Sequence, residues 1–287
     1  MDFRVLERSF NLFYELGIRD FRLTGGEPTI HPQFKEIVSW LFAKGIKVGI
    51  ATNGTRLFNP NMVDMLPMFS RCWVSVYGLT THHNHLVSGE PESKFNQLLN
   101  QVGKCATRGY PVGVSAILAP GDKTLVSNFI ELVLSTGIKR LRFIPIEPDG
   151  RAGTFLHIDW KNWEQELRLI YEEIRVHPLI RQFEFVSIND PFDMNNQYES
   201  PDSSCLLKNR RMWSVLPKGE IYPCCFNVPP VNTAIIANIQ DADAEQKIRA
   251  FSEGFSEKTI NCRGLSSSYW ESKSLQHISC PISALKI

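Results

Sequence analysis

The chain has 287 residues, of which 43% are hydrophobic and 21% are charged, and its 31 basic and 30 acidic side chains leave a formal net charge of +1. This composition is that of an ordinary globular protein, and the near-neutral balance creates no global field that would favour nucleic acid or an anionic membrane. No apolar run approaches the roughly 18 residues that span a bilayer, and the first residues lack the basic–apolar–small order of a signal peptide. We therefore expect a cytoplasmic protein without a nucleic-acid or membrane partner.

Predicted strands and helices alternate over the first part of the chain. The segment 2–17 has its apolar residues on one helical stripe and ends at Gly17, which suits a helix C-cap. Helices that also end in glycine then separate five predicted strands, at about 20–24, 46–51, 72–77, 111–118 and 139–145, and a long helix follows from Trp160 to about Val176. This alternation predicts right-handed βαβ units and a parallel sheet.

The regular pattern breaks after about residue 185. The run 189–204 is polar and rich in turn residues, and 212–225 reads as a hairpin that turns at Pro217-Lys218-Gly219, followed by a serine-rich irregular tail. The alternation also begins with a helix, whereas a βα barrel normally opens with a strand. We therefore expect one strand of a barrel to be missing upstream of Met1.

The stretch "TGGEP" follows the first predicted strand. In parallel α/β sheets ligands bind at the carboxyl ends of the strands, and glycines there let a ligand approach the backbone without interference from a Cβ. Glu27 could accept hydrogen bonds from a cationic amino group, and Pro28 fixes the exit of the turn. The alternative interpretation is a tight strand-to-helix turn with an exposed glutamate.

Further motifs follow the next strands in order: "TNG" at 52–54, "SVYG" at 75–78 and "LRFIPIEPDGRA" at 141–152. This succession resembles the radical S-adenosylmethionine superfamily, particularly its branch with a cysteine-rich SPASM or Twitch extension. The resemblance implies a partial (βα)6 TIM-like barrel over 1–185, lacking its first strand, and an auxiliary iron–sulfur domain over 186–287. It also implies that S-adenosylmethionine is bound by the GGEP and TNG residues and, by a looser match, by two serines: Gly25, Gly26, Glu27, Pro28, Thr52, Asn53, Ser75 and Ser115.

The defining CxxxCxxC loop of that family, which holds the catalytic 4Fe–4S cluster, is not present in this sequence. Its first cysteine is Cys72, in an apolar strand, and the next is Cys105, in a helix, so we interpret both as core thiols. The simplest explanation is an N-terminally shortened chain, and the rival is a degenerate, inactive paralogue.

Five of the seven cysteines lie in the last 83 residues. In a chain without an export signal, such a cluster indicates metal binding rather than disulfides. The "GEIYPC" unit at the end of the hairpin is similar to the start of a SPASM or Twitch extension, and the resemblance implies an auxiliary 4Fe–4S cluster on Cys205, Cys224, Cys262 and Cys280. Cys225 competes with Cys224 for this role. Zinc, or a set of unrelated free thiols, is the alternative.

Other residues carry weaker signals. His82, His83 and His85 lie in a segment that we interpret as a solvated loop, with a substrate-contacting loop as the alternative. Arg151 could face a carboxylate or simply lie in a turn. Trp160 and Trp163 are predicted to face the core.

The resemblance implies an oxidoreductase-type activity in which a 5′-deoxyadenosyl radical abstracts a hydrogen atom from a peptide, a protein or a small molecule. It also implies a reductant such as a flavodoxin or a ferredoxin. Two other hypotheses stay open from the residues alone. One is a non-catalytic iron–sulfur paralogue that binds a peptide or partner, and the other is a zinc-stabilised α/β barrel of different function.

Overall fold

The computed structural model describes residues 1–146, 159–189, 213–222, 235–254 and 284–286. The chain divides into two compact units, one of Asp20–Asp190 with Ala284–Ile287 and one of Met1–Arg19 with Pro191–Ser283. The division at 185/186 into a barrel and a cluster domain stays a prediction.

Strands and helices alternate in the larger unit. Its strands are β1 (Phe21–Leu23), β2 (Val48–Thr52), β3 (Phe69–Val76), β4 (Val112–Leu118), β5 (Arg140–Pro145), β6 (Phe185–Asn189) and β10 (Ala284–Lys286). Its helices are α2 (Phe34–Ala43), α3 (Pro60–Val63), α4 (Thr81–Ser88), α5 (Glu92–Ala106), α6 (Val126–Ser135) and α7 (Trp160–Val176). Short 3-10 turns occupy Pro28–Ile30, Leu66–Met68, Asp122–Thr124 and Pro178–Gln182.

The strands of the larger unit form one sheet in the order β1-β2-β3-β4-β5-β6-β10. β1 to β6 pair in parallel, and β10 pairs antiparallel with β6. This confirms the α/β prediction with a parallel sheet. Two strands were not predicted: β6, which lies between a 3-10 turn and a polar run, and β10, which has three residues.

The core lies between the sheet and its helices. Along β3 to β5, alternate side chains such as Val74, Val114 and Phe143 are 0% exposed, and each such burial contributes about 1.5–3 kcal/mol. Cys72 and Cys105 are 1% and 4% exposed, which confirms both as core thiols. Trp163 is also buried, as predicted.

The histidine-containing segment is a helix, so the prediction of a loop was wrong. Thr80 caps the N-terminus of α4 by accepting a hydrogen bond from the His83 N–H, and Gly89 ends the helix with a left-handed φ of 75°. These are the usual signals of a helix start and stop. Both cap signals are present in the sequence, although most residues between them are polar.

The smaller unit contains α1 (Phe3–Glu15), β7 (Ser214–Val215), β8 (Glu220–Tyr222), β9 (Ala237–Asn238) and α8 (Ala244–Gly254). β7 and β8 form the predicted hairpin, with Gly219 at a φ of 91°, and β9 pairs antiparallel with β8. The ring of Trp213 lies 6.0 Å from that of Phe13 and 5.8 Å from that of Phe251. Aromatic packing therefore joins α1 to the hairpin and α8.

Among the helices of the described residues, none combines the length and the apolar character that crossing a membrane would require.

Candidate functional site

The TGGEP turn connects the end of β1 to a 3-10 turn that starts at Pro28. Gly25 has a φ of +135°, a conformation that side-chain-bearing residues rarely adopt. A Cβ placed on Gly25 or Gly26 would have no atom within 4 Å. The turn therefore has open space beside its backbone, where another molecule could approach.

Glu27 joins the ends of two neighbouring strands. Its Oε1 accepts hydrogen bonds from the Thr29 N–H (3.2 Å), the Thr29 hydroxyl (2.6 Å) and the Thr52 hydroxyl (2.6 Å), while its Oε2 accepts from the Asn53 N–H (2.6 Å). The carboxylate is half-buried. The alternative of a turn with an exposed glutamate therefore does not describe this residue.

Thr52 and Asn53 contribute to the site in different ways. Thr52 is 2% exposed, and its hydroxyl donates to Glu27 and accepts from the Gly54 N–H at 3.0 Å. The Asn53 side chain accepts from the Thr55 N–H at 2.9 Å, and its backbone N–H donates to Glu27. The buried Thr52 hydroxyl thus holds the Glu27 carboxylate in position by a hydrogen bond, and Asn53 is half-buried at the end of β2.

Ser75 and Ser115 are register partners in the pairing of β3 with β4. Ser115 is 3% exposed, and its hydroxyl accepts hydrogen bonds from Nε and Nη2 of Arg142, both at 3.1 Å. Ser75 is half-buried. The sequence-predicted residues thus belong to four adjacent parallel strands. The GGEP and TNG residues lie at or just after the ends of β1 and β2, Ser75 lies near the end of β3, and Ser115 lies in the middle of β4. The carboxyl ends of such strands are where α/β proteins bind ligands.

Sequence reasoning missed Arg142 as a neighbour of this site. Burial lowers the pKa of Arg142 to about 9, and the positive charges of Arg22 and Arg71 act in the same direction. The sequence "RLRF" at 140–143 could have indicated this neighbour. Its arginines alternate with residues that are buried on the opposite face of β5, so both arginines lie on the same face of the strand.

A second polar pair near the strand ends was also missed. Nδ1 of His83 lies 3.3 Å from Oδ1 of Asp122, whose side chain is 0% exposed. Oδ2 of Asp122 accepts from the Ala119 N–H at 2.7 Å. Burial raises the pKa of Asp122 to about 6, and the Ala119 hydrogen bond and His83 oppose this effect only in part. His82 and His85 are exposed.

The described residues fit the two implied cofactors unequally. The open space at Gly25 and Gly26 and the carboxylate of Glu27 suit a ligand with an amino group, as the amino acid part of S-adenosylmethionine has. An iron–sulfur cluster does not fit them, since no group of three His, Cys, Asp or Glu side chains within the described ranges could hold a metal. Burial raises the pKa of both described thiols, Cys72 and Cys105, which disfavours thiolates. The predicted ligands Cys205, Cys224, Cys262 and Cys280, together with Cys225 and Arg151, lie outside the described residues.

Comparison with known proteins gives relatives but no match to a family model. A probable GTP 3′,8-cyclase of Pyrobaculum aerophilum is 26% identical over 165 residues, which cover 56% of this chain and 53% of the relative. A cofactor-modifying protein for a tungsten-containing aldehyde ferredoxin oxidoreductase, from Pyrococcus furiosus, is 20% identical over 210 residues, covering 69% of this chain and 55% of that protein. The chain therefore spans about half the length of these two curated relatives.

Solved structures show the same fold at low sequence identity. SuiB of Streptococcus suis, bound to its precursor peptide SuiA, has a TM-score of 0.71 at 14% identity, with 98% of this chain and 68% of that chain covered. The structural neighbour shares the fold, and the sequence relatives support the resemblance to the radical S-adenosylmethionine superfamily.

Proposed function

We propose that the chain binds S-adenosylmethionine at the strand ends and forms part of a radical S-adenosylmethionine enzyme. On one-electron reduction, the bound cofactor would yield methionine and a 5′-deoxyadenosyl radical able to abstract a hydrogen atom from a substrate, with the electron coming from the reductant proposed below. The chain itself contributes binding, orientation and the exclusion of water. The comparisons do not favour a non-catalytic paralogue, since the curated relatives named above carry the names of a cyclase and a cofactor-modifying protein.

The hydrogen-bond arrangement of Glu27 is the observation that carries the proposal. An ionised carboxylate offers about four lone-pair sites. Oε1 already accepts three hydrogen bonds, whereas Oε2 accepts one, from the Asn53 N–H. A lone pair on Oε2 is thus left for an ammonium group, and Gly25 and Gly26 leave the neighbouring space open. We propose Ser75, Ser115 and Asn53 as further contacts to the same cofactor.

The cysteine-rich part is proposed to hold an auxiliary iron–sulfur cluster on Cys205, Cys224, Cys262 and Cys280. The hairpin supports this proposal, since Ser214 and Tyr222 are antiparallel register partners and the chain enters and leaves the hairpin at one end. Cys224 follows that end by two residues. The division into a barrel over 1–185 and a SPASM- or Twitch-like domain over 186–287 belongs to this proposal, as does a flavodoxin or ferredoxin as reductant.

A peptide is the substrate class that the structural neighbours support. SuiB has been solved with its precursor peptide, and anSMEcpe with AdoMet and a peptide at a TM-score of 0.66 and 19% identity. Small molecules are the alternative, since the Pyrobaculum relative is named for a GTP reaction.

Substitution of Glu27 tests the cofactor site. In Glu27→Gln one oxygen becomes an NH2 group, so the site loses its negative charge and one of its acceptors. We expect the dissociation constant for S-adenosylmethionine, measured by isothermal titration calorimetry, to rise at least tenfold. Glu131→Gln, an exposed carboxylate on α6, is the control and should leave the affinity unchanged. Equal affinities in wild type and a folded Glu27→Gln variant would contradict the proposal.

A further inference from the structure

Several arginines share one face of the large sheet with two aromatic rings. Cζ of Arg142 lies 5.0 Å from the ring centroid of Trp73, and Cζ of Arg140 lies 6.0 Å from that of Phe185. The two rings are 5.6 Å apart. Arg71 precedes Trp73 by two residues on β3, and side chains two apart on a strand point to the same side. We call Arg71, Arg140 and Arg142, with these two rings, the arginine face.

Glycines in the neighbouring strands make room for this arrangement. A Cβ on Gly49 would lie 3.0 Å from Cγ and Nε of Arg71, and a Cβ on Gly113 would lie 2.6 Å from Cβ of Arg140 and 2.9 Å from Cζ3 of Trp73. Glycine inside a strand is unfavourable and often marks a place of close approach. At these positions the large side chains lie across the backbone of the adjacent strand.

The guanidinium groups of the arginine face are incompletely satisfied by the described residues. Nη2 of Arg71 donates to both carboxylate oxygens of Asp20 at 2.6 Å, but its Nε is buried and has no hydrogen-bond partner in the described part of the chain. The same is true of Nε of Arg140. Arg142 donates to the neutral hydroxyl of Ser115. Buried donors of this kind are normally paired, and a buried charge is normally balanced by an opposite one.

One residue of the arginine face, Arg142, lies next to the proposed cofactor site. Arg142 is the register partner of Ser115 on the adjacent strand. Arg71 lies four residues before Ser75 on β3, which corresponds to about 13 Å along a strand. A molecule in contact with the arginine face would therefore extend along the same face of the sheet as the serines.

We propose that the arginine face is a binding site for an oxyanion, a carboxylate or a phosphate group, carried by the substrate. Arginine presents donors in a planar fork that matches both groups. The half-buried ring of Phe185, packed on the buried ring of Trp73, provides an apolar surface for the adjoining part of that molecule. The assignment of the anion to the substrate rests on the proposed function. The binding of an anion at the arginine face does not depend on that function.

Calorimetric titration of the whole chain with two probes, inorganic pyrophosphate and glutarate, tests the proposal. We expect at least one probe to bind, with an affinity that falls as salt is added. Arg140→Gln and Arg142→Gln should each weaken binding at least tenfold. Arg181→Gln, an exposed arginine in the 3-10 turn after α7, should bind as the wild type does. Binding of pyrophosphate alone supports a phosphate-bearing substrate, and binding of glutarate alone supports a carboxylate.

A second variant at position 142 separates a loss of anion binding from a loss of folding. Arg142→Lys preserves the charge without the fork, so it should bind more tightly than Arg142→Gln and more weakly than the wild type. Binding of neither probe, or equal affinities in the wild type and in both glutamine variants, would overturn the proposal. A separate titration of the wild type with S-adenosylmethionine distinguishes failure of this inference from failure of the proposed function. If only the anion site is wrong, S-adenosylmethionine still binds while neither probe does.

Discussion

Gly25 and Gly26 are neighbours in the turn after β1, but they differ in what the fold requires of them. The φ of +135° at Gly25 is a conformation that other residues rarely adopt, whereas no positive φ occurs at Gly26. At both positions a Cβ would point into open space. The backbone therefore requires glycine at the first position, and only a bound molecule would require it at the second.

Alanine substitutions separate these two requirements. Gly25→Ala should lower the free energy of unfolding by about 1–3 kcal/mol, because the backbone is strained. Gly26→Ala should change it by less than about 0.5 kcal/mol but should weaken S-adenosylmethionine binding, since the methyl group occupies the open space. Urea unfolding and calorimetric titration measure the two effects. If Gly26→Ala binds the cofactor normally, the cofactor does not lie against this part of the turn.

Asp122 predicts a pH dependence of stability. Its folded-state pKa of about 6 lies above the unfolded value of 3.8 because the carboxyl is buried, and the negative charge of Glu166 adds to this effect. The Ala119 hydrogen bond and His83 lower the pKa only in part. The folded state therefore binds more protons than the unfolded state between these values, so stability falls as pH rises from about 4 to 6. The full difference corresponds to roughly 3 kcal/mol.

Comparison of the wild type with Asp122→Asn isolates this effect. The asparagine oxygen can still accept from the Ala119 N–H, but the side chain no longer titrates. We expect the stability of the wild type, relative to the variant, to decrease between pH 4 and 6 and to stay constant above pH 7, as measured by urea unfolding. A constant difference across the whole range would show that Asp122 keeps an ordinary pKa.

The sequence predicted the parts of the site that lie within one turn, and it missed those that depend on strand pairing. Glycines, a glutamate and a proline in five consecutive residues are visible directly. The role of Thr52 as a support for Glu27 depends on a contact across 25 residues, and the bond between Arg142 and Ser115 spans 27. Such contacts follow from the register of the strands, which the pattern of apolar residues alone does not specify.

Helix α4 is held against the end of β3 by a close backbone approach. Oδ1 of Asn84 accepts from the Tyr77 N–H at 2.8 Å. A Cβ on Gly78 would lie 2.5 Å from Cβ of His83 and 2.8 Å from the backbone nitrogen of Asn84. Both distances are shorter than real Cβ contacts, so the helix could not keep its place beside a larger residue.

Gly78→Ala should therefore destabilise the protein by about 1–3 kcal/mol through steric overlap. Thermal unfolding followed by circular dichroism provides the measurement, with Gly26→Ala as the control in which the added methyl group meets no protein atom. A Gly78→Ala variant as stable as the control would mean that α4 can move away from β3 without cost.

At the level of elements, capping and periodicity predicted most of the larger unit. Gly45 and Gly137, the ends of two predicted helices, have positive φ, as a C-cap glycine does. The helix over the histidines was missed because its interior is polar, although Thr80 and Gly89 were correct cap signals. β10 could not be predicted from the sequence pattern, since three residues are too few to show a strand periodicity. It is a strand because it pairs with β6.

For the whole molecule, the cysteines divide into two groups with different predicted chemistry. Cys72 and Cys105 are buried, and burial raises the pKa of each. The others are in the cysteine-rich part that we propose to hold iron and sulfide.

Anaerobic reconstitution with iron and sulfide should give about four irons per chain, the content of one 4Fe–4S cluster. Cys224→Ala should lower the iron content markedly and alter the electron paramagnetic resonance signal, whereas Cys105→Ala should leave both unchanged. Near-zero iron in the wild type, or full retention of iron when Cys224 and Cys225 are both replaced by alanine, would exclude the auxiliary cluster.

Both compact units join residues from opposite ends of the chain. α1 packs with Trp213 in one unit, and β10, from the last residues, completes the sheet of the other. During synthesis neither unit can reach its final packing until distant segments have left the ribosome, and contacts between distant segments slow folding. A fragment cut at any single position would therefore leave at least one unit without one of its parts.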